Sequence, residues 1–230
     1  MGGRRIIFYR IGIWVALLLF IIPASSVHAD IYRYIDENGV MHFTNAPTSN
    51  EHEYKVYIKE RTAVSRNFHS TDKFDHFISD AAEQTGVDSR LLKAMIKAES
   101  DFDPRAVSRK GAMGLMQIMP ENFKMLDLKN PFDPWQNIRA GAQYFQKLYK
   151  RFNGKLALSL AAYNAGPAKI QRARTKTKKM GLNPNRWFRN VELATLKIVG
   201  QETVRYVSSI NKYYAIYRFT SKVSETRKKK

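Results

Sequence analysis

The pattern of apolar residues along the chain changes from short β-rich runs to a helical spacing near Asp72. The apolar residues of segment 30–59 form short β-rich runs separated by turn residues, at 31–35, 40–44 and 54–58. This pattern predicts a small hairpin or three-stranded module. Residues 60–71 are polar and aperiodic, which predicts a linker. From Asp72 onward apolar residues recur at i, i+3, i+4 and i+7, which predicts a nearly all-helical domain over residues 72–220.

The helical domain shows clear boundaries for several of its elements. The first helix is predicted to end at Gly86, and Ser89 is the predicted cap of the next helix. Further helices are predicted over 134–152, 156–165 and 191–218. Two stretches are predicted to be loops, the Gly- and Met-rich 104–120 and the basic 172–190. The fold class is therefore mainly α, and the last ten residues, 221–230, are predicted to form a basic tail.

The first 29 residues have the organisation of an export signal. Three arginines precede an apolar run over 11–22, and Val27-His28-Ala29 places small residues where a signal peptidase reads them. The run is short for a membrane-spanning helix, which needs about 20 residues. We predict cleavage before Asp30, with an uncleaved N-terminal anchor as the alternative. Either version exports the rest of the chain, so the predicted location is the periplasm.

The net charge of +19 and the sequence pI of about 10.1 indicate a polyanionic partner. Nucleic acid, anionic lipid and the acidic bacterial cell wall all fit such a charge. The export signal argues against nucleic acid, and no helix-turn-helix, zinc or RNA-recognition motif is present. The chain has no cysteine, which excludes disulfides, thiolate metal sites and a lipidated N-terminal cysteine. We predict no cofactor and no metal site.

Glu99 is the residue that most strongly suggests chemistry. It follows Leu92, Met95 and Ile96 at i+7, i+4 and i+3, so it lies on the apolar stripe of its helix. It also lies in the last turn, since the sequence after it, Asp-Phe-Asp-Pro, ends the helix. Desolvation and the negative end of the helix dipole both raise the pKa of a carboxyl there. A raised pKa suits a general acid, whereas the alternative is a surface glutamate at a frayed helix end.

Several motifs together resemble those of a known family. Glu99-Ser100, then Ser108, then the run 111–120 (Gly-Ala-Met-Gly-Leu-Met-Gln-Ile-Met-Pro), then Ala-Tyr-Asn-Ala-Gly at 162–166 are similar to lytic transglycosylases of the soluble type. The resemblance covers roughly residues 73–218 and implies a goose-lysozyme-like catalytic domain. Segment 30–58 is similar to a small domain of unknown function that follows the signal in exported proteobacterial proteins.

The resemblance implies a reaction in which Glu99 is both acid and base. The glutamate would protonate the glycosidic oxygen between N-acetylmuramic acid and N-acetylglucosamine. As a carboxylate it would then take the proton of the muramic C6 hydroxyl, which attacks the anomeric carbon and leaves a 1,6-anhydro end. Because one group does both tasks, the carboxylate pair of most glycosidases is not required.

The resemblance also implies roles for residues around the acid. Tyr163 would point its hydroxyl at Glu99, although its place on an apolar helix face also suits a core tyrosine. Ser108 would hydrogen-bond near the acid and the substrate. The substrate-binding set that this implies is Ser108, Met116, Gln117, Tyr163 and Asn164.

Some of these positions keep a second interpretation. Met116, like its neighbouring methionines, is more typical of a core or wall residue than of a ligand contact. Gly114 would allow a tight turn or a close backbone approach to the sugar. Glu202 would support the site from behind, or form an ion pair on a helix surface. The basic stretch 172–190 does not match the family pattern; it would rest on acidic stem peptides or face water.

Two other functions stay open at this point. A goose-type lysozyme would use water instead of the C6 hydroxyl and would need a second carboxylate, for which Asp101 or Asp103 is a candidate. A basic wall-binding protein without activity fits the charge, but such a protein would be expected to lack Glu99. The predicted partner is in each case the glycan strand of peptidoglycan. We expect a monomer, with peripheral association with the wall or membrane.

Overall fold

A computed structural model describes residues 30–36, 41–44, 53–58 and 72–228. The predicted export signal and linker lie outside these residues. The described part contains a three-stranded sheet, β1 (Ile31–Ile35), β2 (Met41–Thr44) and β3 (Lys55–Ile58). Its helices are α1 (Asp75–Thr85), α2 (Ser89–Ser100), α3 (Pro134–Arg151), α4 (Leu156–Ala165), α5 (Pro167–Lys179), α6 (Glu192–Ile198) and α7 (Gln201–Lys228). This confirms a mainly α fold with a small β module.

The sheet is antiparallel, with β1 in the centre between β2 and β3. Its apolar residues Phe43 and Tyr57 pack against Ala215 and Ile216 of α7. The Tyr57 hydroxyl also donates to the carbonyl oxygen of Ser208, at 3.1 Å. A sheet of three short strands is marginal on its own, so this packing against α7 contributes to its stability.

The first two helices begin and end close to the predicted positions. Gly86 ends α1 with a left-handed φ of 69°, which glycine adopts without strain. The cap of α2 is one residue earlier than predicted, because the carboxylate of Asp88, and not Ser89, accepts the backbone N–H of Arg90 at 2.8 Å. Helix α2 then packs along α7 in the middle of the domain.

The prediction of a loop over 172–190 is wrong for its first half, which belongs to α5. Pro167 occupies the first turn of α5, where its missing N–H costs nothing. Ile170, Ala173 and Thr177 are buried at i, i+3 and i+7, so the helix has a core-facing side. Lysine and arginine favour helices, and here they occupy its outer face. Because charged residues dominate the segment, the helical spacing of these three buried residues was not recognised in the sequence.

The predicted last helix is divided in two. Gly200, with φ 107°, lies between α6 and α7, and α7 continues through most of the predicted basic tail to Lys228. Within the described residues, no helix combines the length and the hydropathy that crossing a membrane requires.

Candidate active site

Glu99 lies one turn beyond the most deeply buried part of α2. Leu92, Met95 and Ile96 are fully buried, whereas Glu99 keeps partial exposure to solvent. The next residue, Ser100, donates its hydroxyl to the carbonyl oxygen of Leu115 at 2.8 Å and so ties the helix end to the following loop. Asp101 ends the helix in a left-handed conformation, with φ 51°. The prediction that Glu99 lies on the buried stripe near the helix end is confirmed.

The carboxyl of Glu99 is held by a tyrosine that lies 107 positions later in the chain. The Tyr206 hydroxyl donates to Glu99 Oε1 at 2.5 Å, from helix α7. Burial raises the pKa of Glu99 from its ordinary value of 4.5 to about 8. The Tyr206 hydrogen bond lowers this pKa, and the negative charge of Glu202 raises it. Glu99 is therefore mostly protonated at neutral pH and can act as a general acid.

Tyr163 does not make the contact that the resemblance implied. Its hydroxyl donates to the carbonyl oxygen of Met116 at 2.8 Å, and the hydroxyl on Glu99 belongs to Tyr206. The ring of Tyr163 packs against Tyr144, with 5.4 Å between the ring centres. Burial, followed by the charge of Glu99, raises the pKa of both Tyr163 and Tyr206 well above the usual range, so both hydroxyls stay protonated.

Ser108 and Gln117 shape the loop that follows α2. The Ser108 hydroxyl oxygen accepts the backbone N–H of Ala112 at 3.0 Å and closes a tight turn. The side-chain amide nitrogen of Gln117 donates to the carbonyl oxygens of Ala106 and Gly114, at 3.1 and 2.9 Å. Both amide protons of Gln117 are therefore used within the loop, and its carbonyl oxygen is the group left for a ligand.

Gly114 is required by contacts within the protein. A Cβ at this position would lie 2.2 Å from the carbonyl oxygen of Pro131 and 2.3 Å from the side-chain nitrogen of Asn137. Its φ of 78° also favours glycine. The buried side chain of Asn137 links two loop segments, since it accepts from the N–H of Met116 at 2.7 Å and donates to the carbonyl oxygens of Met113 and Pro131.

Met116 corrects the predicted substrate-binding set. Its side chain is 0% exposed and packs against Gly141 of α3, so it cannot touch a ligand in this arrangement. The core interpretation of this methionine is the right one, and its contribution to the site is the carbonyl group that holds Tyr163.

Asn164 and Glu202 lie where α4 meets α7. Asn164 Oδ1 accepts the hydroxyl of the buried Thr203 at 2.7 Å. Glu202 is largely exposed and forms an ion pair with the equally exposed Lys110, at 3.4 Å. Of the two predicted roles for Glu202, the structure shows the surface ion pair. Its effect on Glu99 is long-range, through its charge.

The aspartates nominated as a second carboxylate have other partners. Asp101 forms an ion pair with Lys97 one turn earlier, and Asp103 accepts the backbone N–H of Arg105 at 2.9 Å within a turn. The described residues contain no group of three or more His, Asp or Glu side chains placed to hold a metal ion.

Three residues near the site had no role assigned from sequence: Thr203, Tyr206 and Asn137. The pairs Glu202-Thr203 and Tyr206-Val207 resemble a late motif of the same family, but the resemblance did not point to a contact with Glu99. Thr203, Tyr206 and Ile210 are spaced i, i+3 and i+7 and are buried along one side of α7. This spacing is the signal that places Tyr206 inside the domain, but it does not show that Glu99 is opposite. Asn137 likewise interrupts the apolar face of α3, a place where an asparagine needs hydrogen-bond partners.

The fold and this site define a lysozyme-like helical domain built around one protonated glutamate. Solved structures with this fold include an inactive glutamate-to-glutamine mutant of the lytic transglycosylase Slt from Pseudomonas aeruginosa, with a TM-score of 0.54 and 27% identity over 66% of this chain and 25% of that one. The 70 kDa soluble lytic transglycosylase of Escherichia coli has a TM-score of 0.52 and 29% identity over 64% of this chain and 24% of that one.

Sequence comparison gives the same relationship. The Transglycosylase SLT domain matches residues 76–184. The membrane-bound lytic murein transglycosylase F of Desulfosudis oleivorans is 33% identical over 84% of this chain and 47% of its own length. A protein of the same name from Alkalilimnicola ehrlichii is 34% identical over 65% of this chain and 35% of its own length. The helical domain of this chain therefore contains a Transglycosylase SLT domain and is similar to these lytic murein transglycosylases, and the chain spans less than half the length of these relatives.

The β module matches a domain of unknown function, DUF4124, over residues 18–66. This confirms the resemblance predicted for segment 30–58. The matched region also includes the end of the predicted signal segment and part of the predicted linker.

Proposed function

We propose that this protein is a peptidoglycan lytic transglycosylase with Glu99 as its single catalytic acid and base. The observation that carries the proposal is the partly exposed Glu99, with a pKa of about 8, held by Tyr206 in a domain of this family. The names of the relatives support it, since they are lytic murein transglycosylases. The inactive glutamate-to-glutamine mutant of the Pseudomonas aeruginosa protein agrees with a glutamate as the essential group.

The reaction has two proton transfers through one carboxyl. Glu99 donates its proton to the glycosidic oxygen between N-acetylmuramic acid and N-acetylglucosamine, and the C–O bond to the anomeric carbon breaks. The resulting Glu99 carboxylate accepts the proton of the muramic C6 hydroxyl while that oxygen bonds to the anomeric carbon. The products are a 1,6-anhydromuramic end and a free N-acetylglucosamine hydroxyl, and Glu99 is again protonated without consuming water.

The surroundings of Glu99 suit both halves of this reaction. Burial favours the protonated acid, whereas the hydrogen bond from Tyr206 stabilises the carboxylate that forms between the two transfers. These opposing effects leave a pKa of about 8, close to neutral pH, where a group can both donate and accept protons efficiently.

We propose three polar contacts to the sugar, each set by the hydrogen bonds already made within the protein. The Ser108 oxygen accepts a backbone N–H, so its hydroxyl proton is the group to donate. Gln117 uses its amide protons internally and offers its carbonyl oxygen. Asn164 accepts from Thr203 and offers its amide protons. Tyr163 and Gly114 then support the site by holding the loop around Met116 in place.

We further propose that the chain is exported to the periplasm by its N-terminal signal and acts there as a monomer. The membrane-bound relatives support a location at the cell envelope.

The products formed from purified sacculi test the reaction. We expect soluble 1,6-anhydromuropeptides, identified by mass spectrometry, from the wild-type protein. Products heavier by one water, with ordinary reducing ends, would establish a lysozyme instead, and wall binding without soluble products would establish a non-enzymatic protein.

The variant Glu99→Gln is the matched control, because it keeps the shape of the side chain but cannot transfer a proton. A general acid or base contributes about 10²–10⁴-fold to rate, and Glu99 supplies both, so we expect a loss at the upper end of this range. Near-normal activity in a folded Glu99→Gln protein would be incompatible with the assignment.

A further inference from the structure

A concave feature lies on the outer face of α5. It is an open groove of about 780 Å³. Arg172, Lys176 and Lys179 of α5 line it together with Arg151 from the end of α3, and no Asp or Glu does. None of its lining residues belongs to the set around Glu99, so the groove is a separate candidate site.

The arrangement of these cations is not explained by helix stability alone. Lysines in the last turn of a helix interact favourably with its dipole, which accounts for Lys176 and Lys179. Arg172 lies in the middle of α5, and Arg151 comes from a different helix. Arg172 and Lys176 are also spaced i, i+4, where like charges repel each other. Four cations that converge without a lining carboxylate form a site for an anion with several negative groups.

The uncharged residues that line the groove indicate which class of anion it suits. Gln171 and Thr175 add amide and hydroxyl groups between the cations, and Met180 and Ile198 add apolar surface. Charged, amide-bonding and apolar groups in one groove suit a short acidic peptide, which carries carboxylates, peptide bonds and aliphatic side chains. A flat membrane surface would instead engage a protruding face, and a concave groove offers it few contacts.

We infer that this groove binds the acidic stem peptides of peptidoglycan, which rests on the function proposed above. A stem peptide held there anchors the glycan strand at a second point while Glu99 acts on the sugar. The groove therefore discriminates between glycan that carries peptides and glycan that does not.

The test compares Arg172→Glu/Lys176→Glu with a control of equal charge change, Lys129→Glu/Lys212→Glu, whose residues are exposed and outside the groove. The substrates are glycan strands with their peptides and the same strands stripped by an amidase. Loss of charge-assisted contacts predicts a KM at least about tenfold higher for the groove variant on peptide-bearing strands. We expect no change on stripped strands, and no change for the control variant on either substrate.

A second variant, Arg172→Gln/Lys176→Gln, removes the charges with helix-forming residues and covers the case in which the first variant folds poorly. Binding of the free stem peptides released by the amidase, measured by calorimetry, gives a readout that needs no activity, and we expect the groove variants to weaken it at least about tenfold. Unchanged peptide binding and unchanged KM in both groove variants would overturn the inference.

Two further outcomes separate the possible errors. If the groove variants lose binding to phosphatidylglycerol vesicles but keep stem-peptide binding, the groove is a membrane site and the inference is wrong. If the wild-type protein releases no 1,6-anhydro products from peptide-bearing strands while peptide binding still depends on the groove, the proposed function fails and the peptide site stands.

Discussion

Glu99 makes the stability of the protein depend on pH in the direction opposite to that of an ion-paired carboxylate. Its carboxyl has an ordinary pKa of 4.5, which we take for the unfolded chain, and a pKa of about 8 in the folded protein. Below pH 4.5 both states are protonated and the group has no effect. Between these two values the folded protein holds a proton that the unfolded chain has lost, so the free energy of unfolding falls as pH rises. Above pH 8 the loss is complete.

The size of this effect follows from the two pKa values. Their difference of 3.5 corresponds to about 5 kcal/mol at 1.36 kcal/mol for each pH unit. Glu99 keeps partial exposure, and solvent screening reduces the energy of a charge there. We therefore expect a measured loss of about 2–4 kcal/mol between pH 4.5 and pH 9.

The assay is urea unfolding of the wild-type protein and Glu99→Gln at both pH values. Glutamine can still accept the Tyr206 hydrogen bond but cannot ionise, and the pH dependence of all other groups is common to both proteins. The tyrosines of the site stay neutral at pH 9, since their pKa values lie well above 10.0. From pH 4.5 to pH 9, we expect the free energy of unfolding of the variant to rise by about 2–4 kcal/mol relative to that of the wild type. A stability difference that is the same at both would refute a protonated Glu99 at neutral pH.

Three further predictions concern the tyrosine that contacts Glu99, the loop around Gly114 and the three-stranded sheet. Tyr206→Phe removes a hydrogen bond that lowers the pKa of Glu99, so the alkaline limb of the pH–rate profile should move to higher pH and kcat should fall about tenfold. The control Tyr163→Phe loses no hydrogen bond to Glu99 and should leave this limb in place. Gly114→Ala should destabilise the protein by about 3 kcal/mol or more in urea unfolding because its Cβ meets backbone, whereas Gly111→Ala, with open space around it, should cost only about 1–2 kcal/mol. A chain without the three-stranded sheet should melt a few degrees lower but cleave soluble glycan fragments at a near-normal rate. If this cleavage is lost, the sheet is part of the fold that catalysis requires.

The position of Glu99 was predictable from sequence because it is set within one helix. Its spacing from Leu92, Met95 and Ile96, and the turn that ends this helix, place it on the apolar stripe in the last turn. This pattern left a surface glutamate as an alternative, and the motif resemblance favoured the catalytic interpretation. The small sheet was also predictable, since short β-rich runs separated by turn residues indicate strands directly.

The partner of Glu99 was not predictable in this way. Tyr206 is separated from Glu99 by 107 positions, and only the packing of α7 against α2 brings them together. The family resemblance favoured Tyr163, whose hydroxyl instead holds the carbonyl of Met116. Helix α5 was missed because its apolar side has only three short side chains among many charges. In each case the deciding contact is tertiary, and periodicity alone does not contain it.

Helix α7 joins the site around Glu99 and the β module through one uninterrupted element. Tyr206 contacts Glu99 near its start, and Ile216 supports the sheet ten residues later, which is about 15 Å along the axis. Each residue of a helix also turns the chain by about 100°, so the directions in which the sheet and Glu99 lie around the α7 axis are fixed relative to each other. One residue inserted between them would rotate the sheet by about a quarter turn around the helix axis. An insertion of seven residues, about two full turns, would restore the direction of the sheet and move it only along the helix axis.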